Sequence, residues 1–377
     1  MSSHSRVRLG MVGGGQGAFI GAVHRIASRI DDRFELVAGA LSSDAARAAA
    51  SAAELGIAAD RSYADYAEMA RAEAARPDGI RAVAIVTPNH MHAGPAIAFL
   101  EAGISVICDK PLAATAEQAE KIAAAVAASD AHFVLTHNYT GYPLMRQARA
   151  MIARGDLGTI RVVQAEYAQD WLAGNVETTG NKQAVWRTDP KQAGAGGSIG
   201  DIGTHAFNLL SFVTGLETEA LAADLHMFGE GRQVDDNAHI MLRFAGGAKG
   251  MVWASQVASG CENGLRLRIY GDKGGIEWGQ ENPNQMTFAK LGEPKQILTR
   301  GGAGLGGGAG DWTRIPPGHP EGYLEGFANI YSDAADLIEG KSDGALLPGI
   351  EAGLDGMWFI GACVESSKAD GAWVKRG

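Results

Sequence analysis

Between residues 6 and 136 the chain changes its hydrophobic period repeatedly. Short β-branched and apolar runs, RVRLGMV, FELVAGAL, AVAIVT, SVIC and HFVLTH, alternate with alanine-rich stretches expected to be helical from about Ala18, Asp44, Met91 and Thr115. That alternation reads as βαβ units building a parallel sheet with helices on both faces. The first half reads as a doubly wound α/β domain.

The turn after the first run narrows that reading. In VGGGQGA, Gly13, Gly15 and Ala18 fall on G-x-G-x-x-G/A between a strand and a helix. The first glycine permits the tight turn, the second lets backbone approach a pyrophosphate, and the small third residue allows close helix packing. Gln16, Phe19 and Ile20 complete the set expected against a dinucleotide. The carboxylate that would hold the adenosine ribose is due about 20 residues later. In LVAGALSSDAAR that place is taken by Leu41 or Ser42, and Asp44 comes late. Ser42, Ser43 and Arg47 could contact a 2′-phosphate, so NAD and NADP both stay open as cofactors.

Two more strand ends carry polar residues. IVTPNHMH places Thr87, Pro88 and Asn89 at the carboxyl edge of the sheet, where ligands bind in open α/β folds. His90 and His92 follow and read first as helix-capping and surface histidines, with His92 kept among the residues expected near the cofactor. SVICDKP ends a buried-looking run on Asp109, Lys110 and Pro111.

After THNYTGYP the texture changes. A helix over about 143–154 leads into longer alternating strands, TIRVVQAEYAQ, DDNAHIMLRF, AKGMVWASQVA and LRLRIYG, with a helix near 204–215 and two more over about 320–340 and 348–367. Period-two polarity in successive strands implies a large, mostly antiparallel open sheet in an α+β domain, with one face available to a partner copy. The stretch 300–312, RGGAGLGGGAGDW, is expected to be a mobile loop. At 377 residues the chain exceeds a single core. The expected domains are 1–137, binding the nucleotide, and 138–377, binding substrate and forming a homodimer or homotetramer, with the last helix packing back on the first domain.

In GGSIGDIGTHAFNLL, Asp201 and His205 lie four apart at the start of a helix, on one face. A carboxylate beside an imidazole orients the ring and stabilises its protonated form, which suits the pair to taking a proton from an alcohol. Asn208, three residues beyond His205, shares that face. Asn138, Tyr139 and Tyr142 follow the last strand of the first domain, and Trp186, Arg187 and Asp189 precede the glycine loop, so these are candidate substrate contacts; Trp171, His319, Glu321 and Tyr323 are further ones.

Composition excludes several classes. A net charge of −10 with no Lys/Arg run argues against nucleic acid. Cys108, Cys261 and Cys363 stand far apart with no CxxC, so no disulfide framework or zinc site is expected, and no metal. No stretch approaches the ~20 apolar residues of a membrane span, and the amino terminus lacks a signal-peptide core. The expectation is a cytoplasmic protein.

Taken together, GMVGGGQGAFIG, TPNHMH, CDKP and GDIGTHAFN, in this order, resemble the Gfo/Idh/MocA family of sugar and polyol oxidoreductases. In that family the strand-end motif is usually E-K-P, and here Asp109 replaces the glutamate. The resemblance implies a Rossmann domain in which Asp109 and Lys110 adjoin the cofactor, a catalytic set of Lys110, Asp201 and His205, and a sugar or cyclic polyol as substrate. It also directs attention to a cis peptide before Pro111. Two rival functions remain: a glycoside hydrolase that uses bound NAD transiently, and a non-enzymatic sensor of nicotinamide. A metal enzyme built on Asp201 and His205 would need a third ligand of comparable spacing, and the sequence offers none.

Overall fold

The computed structural model describes residues 6–306 and 309–377. Residues 307 and 308 of the glycine-rich stretch and the first five residues of the amino terminus lie outside the described residues. The chain divides into two compact units: one comprises residues up to Gly141 with Tyr323–Leu354, the other Tyr142–Gly322 with Asp355–Gly377.

The first unit carries strands β1 (Val7–Gly13), β2 (Phe34–Ala40), β3 (Ala82–Val86), β4 (Ser105–Cys108) and β5 (Phe133–Leu135). Between them run helices α1 (Phe19–Ile30), α2 (Ala45–Glu54), α3 (Tyr66–Ala74), α4 (Ala93–Glu101) and α5 (Ala116–Ala127). All strand pairs are parallel, in the order β2-β1-β3-β4-β5. Ser62 adds a single parallel bridge to Gly39 outside β2. Counting that bridge as a strand gives the 3-2-1-4-5-6 order of the dinucleotide-binding fold. Every residue of β3 and β4 is buried, as expected of strands covered on both faces.

Asp44, Asp65 and Thr115 cap α2, α3 and α5 by accepting a backbone N–H, whereas Ala18 before α1 makes no side-chain cap. The core between β1, β2 and α1 is completed by a helix from late in the chain (Tyr323–Ile338), whose Phe327, Ile330 and Tyr331 are buried against Val23, Ala27 and Phe34. Phe34 and Tyr331 meet edge-on with ring centres 5.3 Å apart.

In the second unit, α6 (Pro143–Ala153) precedes β6 (Ile160–Ala168). Two short helices, α7 (Lys182–Arg187) and α8 (Pro190–Ala193), lead through a π-helical turn, Ile199–Gly203, into α9 (Thr204–Thr214). Strands β7 (Thr218–His226), β8 (Asn237–Phe244), β9 (Lys249–Ser255), β10 (Gly264–Gly271), β11 (Gly274–Gly279), β12 (Gln285–Lys290) and β13 (Gln296–Thr299) follow. The Tyr323–Ile338 helix is α10, the last helix is α11 (Ile350–Lys368), and β14 is Val374–Lys375.

The nine strands order as β13-β12-β11-β10-β6-β9-β8-β7-β14, antiparallel except for the β6–β9 pair. From Ala238 onward burial alternates along β8, with Ala238, Ile240, Leu242 and Phe244 inside and His239, Met241 and Arg243 outside. Phe207 of α9 stacks on Phe359 of α11 at 4.4 Å, and the Ser366 hydroxyl accepts the Ala223 N–H of β7, which fixes α11 to the sheet. The opposite face leaves Val162, Met241, Met251 and Ile297 exposed.

No helix among the described residues is long and apolar enough to cross a membrane. None of the three cysteines is paired.

Candidate active site

The glycine turn is shaped by what a side chain would hit. Gly13 ends β1 with φ +79°, and Gly14 follows at +72°. A Cβ on Gly15 would lie 2.7 Å from the Leu41 carbonyl oxygen and 2.9 Å from Ser51 Oγ. The Gln16 N–H donates to Ser51 Oγ (3.2 Å), and the Gln16 side-chain amide donates to Glu54 (3.0 Å). The close helix approach belongs to Gly21, where a Cβ would come within 2.4 Å of Gly14 Cα, while Ala18 donates its N–H to the Gly15 carbonyl.

Phe19 opens α1 and is exposed, Ile20 packs on the core, and Arg25 donates to the Gly14 carbonyl (2.6 Å). A cleft of about 270 Å³ runs along Gly15, Gln16, Gly17, Ala18 and Phe19 to Ser51 and Arg25. A positive-φ turn, a glycine with no room for a side chain and an uncapped helix amino end together fit a dinucleotide pyrophosphate. At the end of β2, Ser42 is half-buried while Ser43 and Arg47 are exposed; Asp44 is committed to accepting the Arg47 N–H at 2.7 Å.

Beside the turn, the ends of β3 and β4 are tied together. His92, expected at the surface, is fully buried. Its Nδ1 lies 2.8 Å from the Pro111 carbonyl oxygen and its Nε2 2.9 Å from that of Thr87, so the ring spans the two strand-end loops. Burial lowers its pKa. Asn89 is buried, Pro88 exposed, and Thr87 donates its hydroxyl to the Met91 carbonyl.

The Lys110–Pro111 peptide is cis. Asp109 extends the ladder by donating its N–H to the Ile85 carbonyl, and its Oδ1 accepts the Lys110 N–H (3.0 Å) and the Thr136 hydroxyl (3.1 Å). Two more buried histidines lie behind the lysine. His24 Nδ1 is 2.8 Å from the Tyr331 hydroxyl and its Nε2 3.9 Å from Asp109. Burial pulls His24 down to about 4, and burial with the Lys110 charge pulls His137 down to about 3. Burial thus lowers the pKa of three imidazoles, His24, His92 and His137, next to the Asp109–Pro111 segment.

The second unit holds Asp201 and His205. Asp201 stands in the π-helical turn and His205 in the first turn of α9, both half-buried. Asp201 Oδ2 accepts Arg187 Nε at 3.1 Å and Gln256 Nε2 at 2.8 Å. The Arg187 guanidinium lies 4.2 Å from the Trp186 ring centre and 5.9 Å from that of Trp171. Tyr167 faces His205 with ring centres 6.1 Å apart and donates its hydroxyl to Asn263 (2.7 Å). Asn208 is half-buried one turn along α9.

The remaining candidates have structural partners. Asn138 and Tyr139 are buried in the first unit. Tyr142 is buried at the start of α6, edge-on to Trp278 at 5.6 Å. Asp189 caps α8 through the Lys191 N–H. Glu321 is buried and accepts the N–H groups of Arg314 and Ile315 and a guanidinium bond from Arg300, which also binds the His319 carbonyl. Tyr323 packs edge-on against Phe327 at 5.2 Å.

Sequence reading missed Gln256, Gly21, Thr136 and His24. Gly21 had a signal in the glycine spacing of GGGQGAFIG; Gln256 had none, because its role depends on where β9 ends. Among the described residues no group of three or more His, Cys, Asp or Glu side chains could hold a metal ion.

Comparison with known proteins follows these two clusters. Residues 7–137 match the model described as an oxidoreductase family, NAD-binding Rossmann fold, and residues 145–277 match the GFO/IDH/MocA C-terminal domain. The uncharacterised oxidoreductase YfiI of Bacillus subtilis is 36% identical over 98% of this chain and 96% of its own length. Levoglucosan dehydrogenase of Pseudarthrobacter phenanthrenivorans is 34% identical over 56% of this chain and 58% of its own.

Among solved structures, an oxidoreductase from Sinorhizobium meliloti is 56% identical, with a TM-score of 0.90 over 99% of this chain and 100% of that one. An inositol dehydrogenase homologue from Azotobacter vinelandii, complexed with NADH and myo-inositol, is 39% identical, with a TM-score of 0.90 over 99% and 98%.

Proposed function

Because the chain belongs to the Gfo/Idh/MocA family of NAD-binding oxidoreductases, we propose that it oxidises a ring secondary alcohol of a sugar or cyclic polyol, inositol-like in its chemistry, with Lys110, Asp201 and His205 as its catalytic set. The observation that carries this reading is the preorganised Asp201 carboxylate, held at one oxygen by Arg187 and Gln256 and followed one turn later by His205. The full-length likeness to a protein solved with NADH and myo-inositol supports the substrate class.

In this mechanism His205 takes the hydroxyl proton as general base, Asp201 orients it, and the Lys110 ammonium donates a hydrogen bond to the substrate oxygen as it becomes a carbonyl. Bound NAD supplies the hydride acceptor. The first unit's contribution is to fix the Lys110 backbone through Asp109 and to keep His24 and His137 neutral, so that neither adds a second cation near the ammonium. NAD is preferred as the working nucleotide on the strength of the matched family model and the relative's bound NADH. Three cysteines with no disulfide between them suit the cytoplasmic setting proposed for the chain.

A polyol carrying deuterium at the reacting carbon tests the chemistry. The label should appear on the nicotinamide ring of the product by NMR; reduced nicotinamide without label would contradict direct hydride transfer.

A further inference from the structure

Asp235 and Asp236 sit side by side in VDDN, ahead of β8, and both are buried, at 6% and 1% exposure. Buried carboxylates are costly unless fully hydrogen-bonded. Asp235 Oδ1 accepts the Gly197 N–H at 2.7 Å, and its Oδ2 accepts the Ser198 hydroxyl at 2.6 Å and the Ile199 N–H at 2.9 Å. Its carbonyl oxygen also accepts the Ser198 N–H at 2.7 Å. A Cβ on Gly197 would lie 2.0 Å from that carbonyl oxygen, so only glycine lets the turn come this close.

Ile199 is where the π-helical turn begins, and the Asp201 N–H donates to the Gly197 carbonyl at 2.9 Å. Asp235 therefore grips the peptide that presents Asp201. From the other side, the Asp236 carbonyl accepts the Gln256 N–H at 2.8 Å, and the Gln256 side chain donates to Asp201 Oδ2.

Resting on the reading of Asp201 and His205 as the acid–base pair, we infer that Asp235 is a positioning residue for the reaction, acting on the proton-transfer step through Asp201 without touching substrate or cofactor. Asparagine in its place keeps the shape but turns its amide N–H₂ toward the Gly197 or the Ile199 N–H, neither of which can accept, so at least one of the three bonds is lost. A misplacement of about 1 Å at a reacting group costs on the order of 100-fold in rate.

The test is a double-mutant cycle in the full-length enzyme, with Asp235→Asn and Asp201→Asn singly and together. Hydrogen exchange is read over residues 197–203, and NAD affinity by fluorescence titration. The expected result is a kcat lowered ~10- to 100-fold by Asp235→Asn with KM and NAD affinity within about twofold, and less than about twofold further loss when Asp201 is already Asn. Exchange should quicken in 197–203 and stay unchanged in the first unit. Full additivity of the two substitutions, an unaltered kcat, or loss of NAD affinity together with kcat would overturn the inference. A wild-type chain that oxidises no polyol would defeat the functional reading instead; exchange in 197–203 would still decide whether Asp235 anchors the turn.

Discussion

At the scale of the residue, an apolar run ending on D-K-P marks Lys110 at the edge of a buried strand, and only the family resemblance gives it a role there. What lies behind it was not legible. His24 comes from α1, His92 from the start of α4 and His137 from beyond β5, and only the parallel order of the sheet brings them together. These rings have a measurable consequence. His24 and His137 are held to about 4 and about 3 when folded, against 6.5 when exposed. Between pH 6.5 and those values the unfolded chain binds more protons than the folded one, so stability falls as pH falls. For His24 alone the effect is roughly 3 kcal/mol across its window. Calorimetry should show a lower unfolding temperature at pH 5 than at pH 7, with proton uptake on unfolding revealed by buffers of different ionisation heat. A flat profile would contradict the burial of these rings.

At the scale of elements, the five parallel strands and their helices stood out because each run is short, apolar and β-branched, and the helices between them are alanine-rich. Asp44 and Thr115, expected at helix starts, are the caps of α2 and α5. The π-helical turn at Ile199–Gly203 was invisible, since its two internal glycines break any hydrophobic period and its geometry depends on Asp235. The third small residue of the cofactor motif shows the same limit: Ala18 fits the pattern, but the tightest contact falls on Gly21, one helical turn later. Gly15 gives the element-scale prediction. Its Cβ would meet the backbone oxygen of Leu41, so Gly15→Ala must shift the turn against β2. Overpacking of this kind costs about 1–3 kcal/mol, and NAD affinity should drop tenfold or more in a fluorescence titration. Unchanged affinity would show that the nucleotide does not rest on this turn.

At the scale of the whole molecule, the sequence conveyed two kinds of sheet and a change of texture after THNYTGYP. It assigned the return to the last helix, whereas the helix that completes the core of the first unit, through Phe327, Ile330 and Tyr331, is α10, and most of α11 belongs to the second unit. Such a return of the chain leaves no local signal, because α10 is amphipathic whichever core it joins. The open face of the nine-stranded sheet was legible in the alternation of β8 and β9. It places Met241 opposite Met251, 56% and 41% exposed, with Val162 and Ile297 also outside. We propose that this face joins copies of the chain into a homodimer or homotetramer. Met241→Glu with Met251→Glu should lower the mass seen by light scattering to that of one chain, 39.3 kDa, without unfolding it; a wild-type protein already at that mass would contradict the assignment.

The proposed oxidation of a polyol through Lys110 can be followed by the near-ultraviolet absorbance of reduced nicotinamide. The wild-type protein and Lys110→Ala would be mixed with NAD and a panel of inositols, aldoses and aryl glycosides. Growth of the signal with at least one free polyol is expected, with a loss of about 100-fold or more in the variant. A flat trace with every free polyol while an aryl glycoside is cleaved, or an undiminished rate in Lys110→Ala, would contradict it.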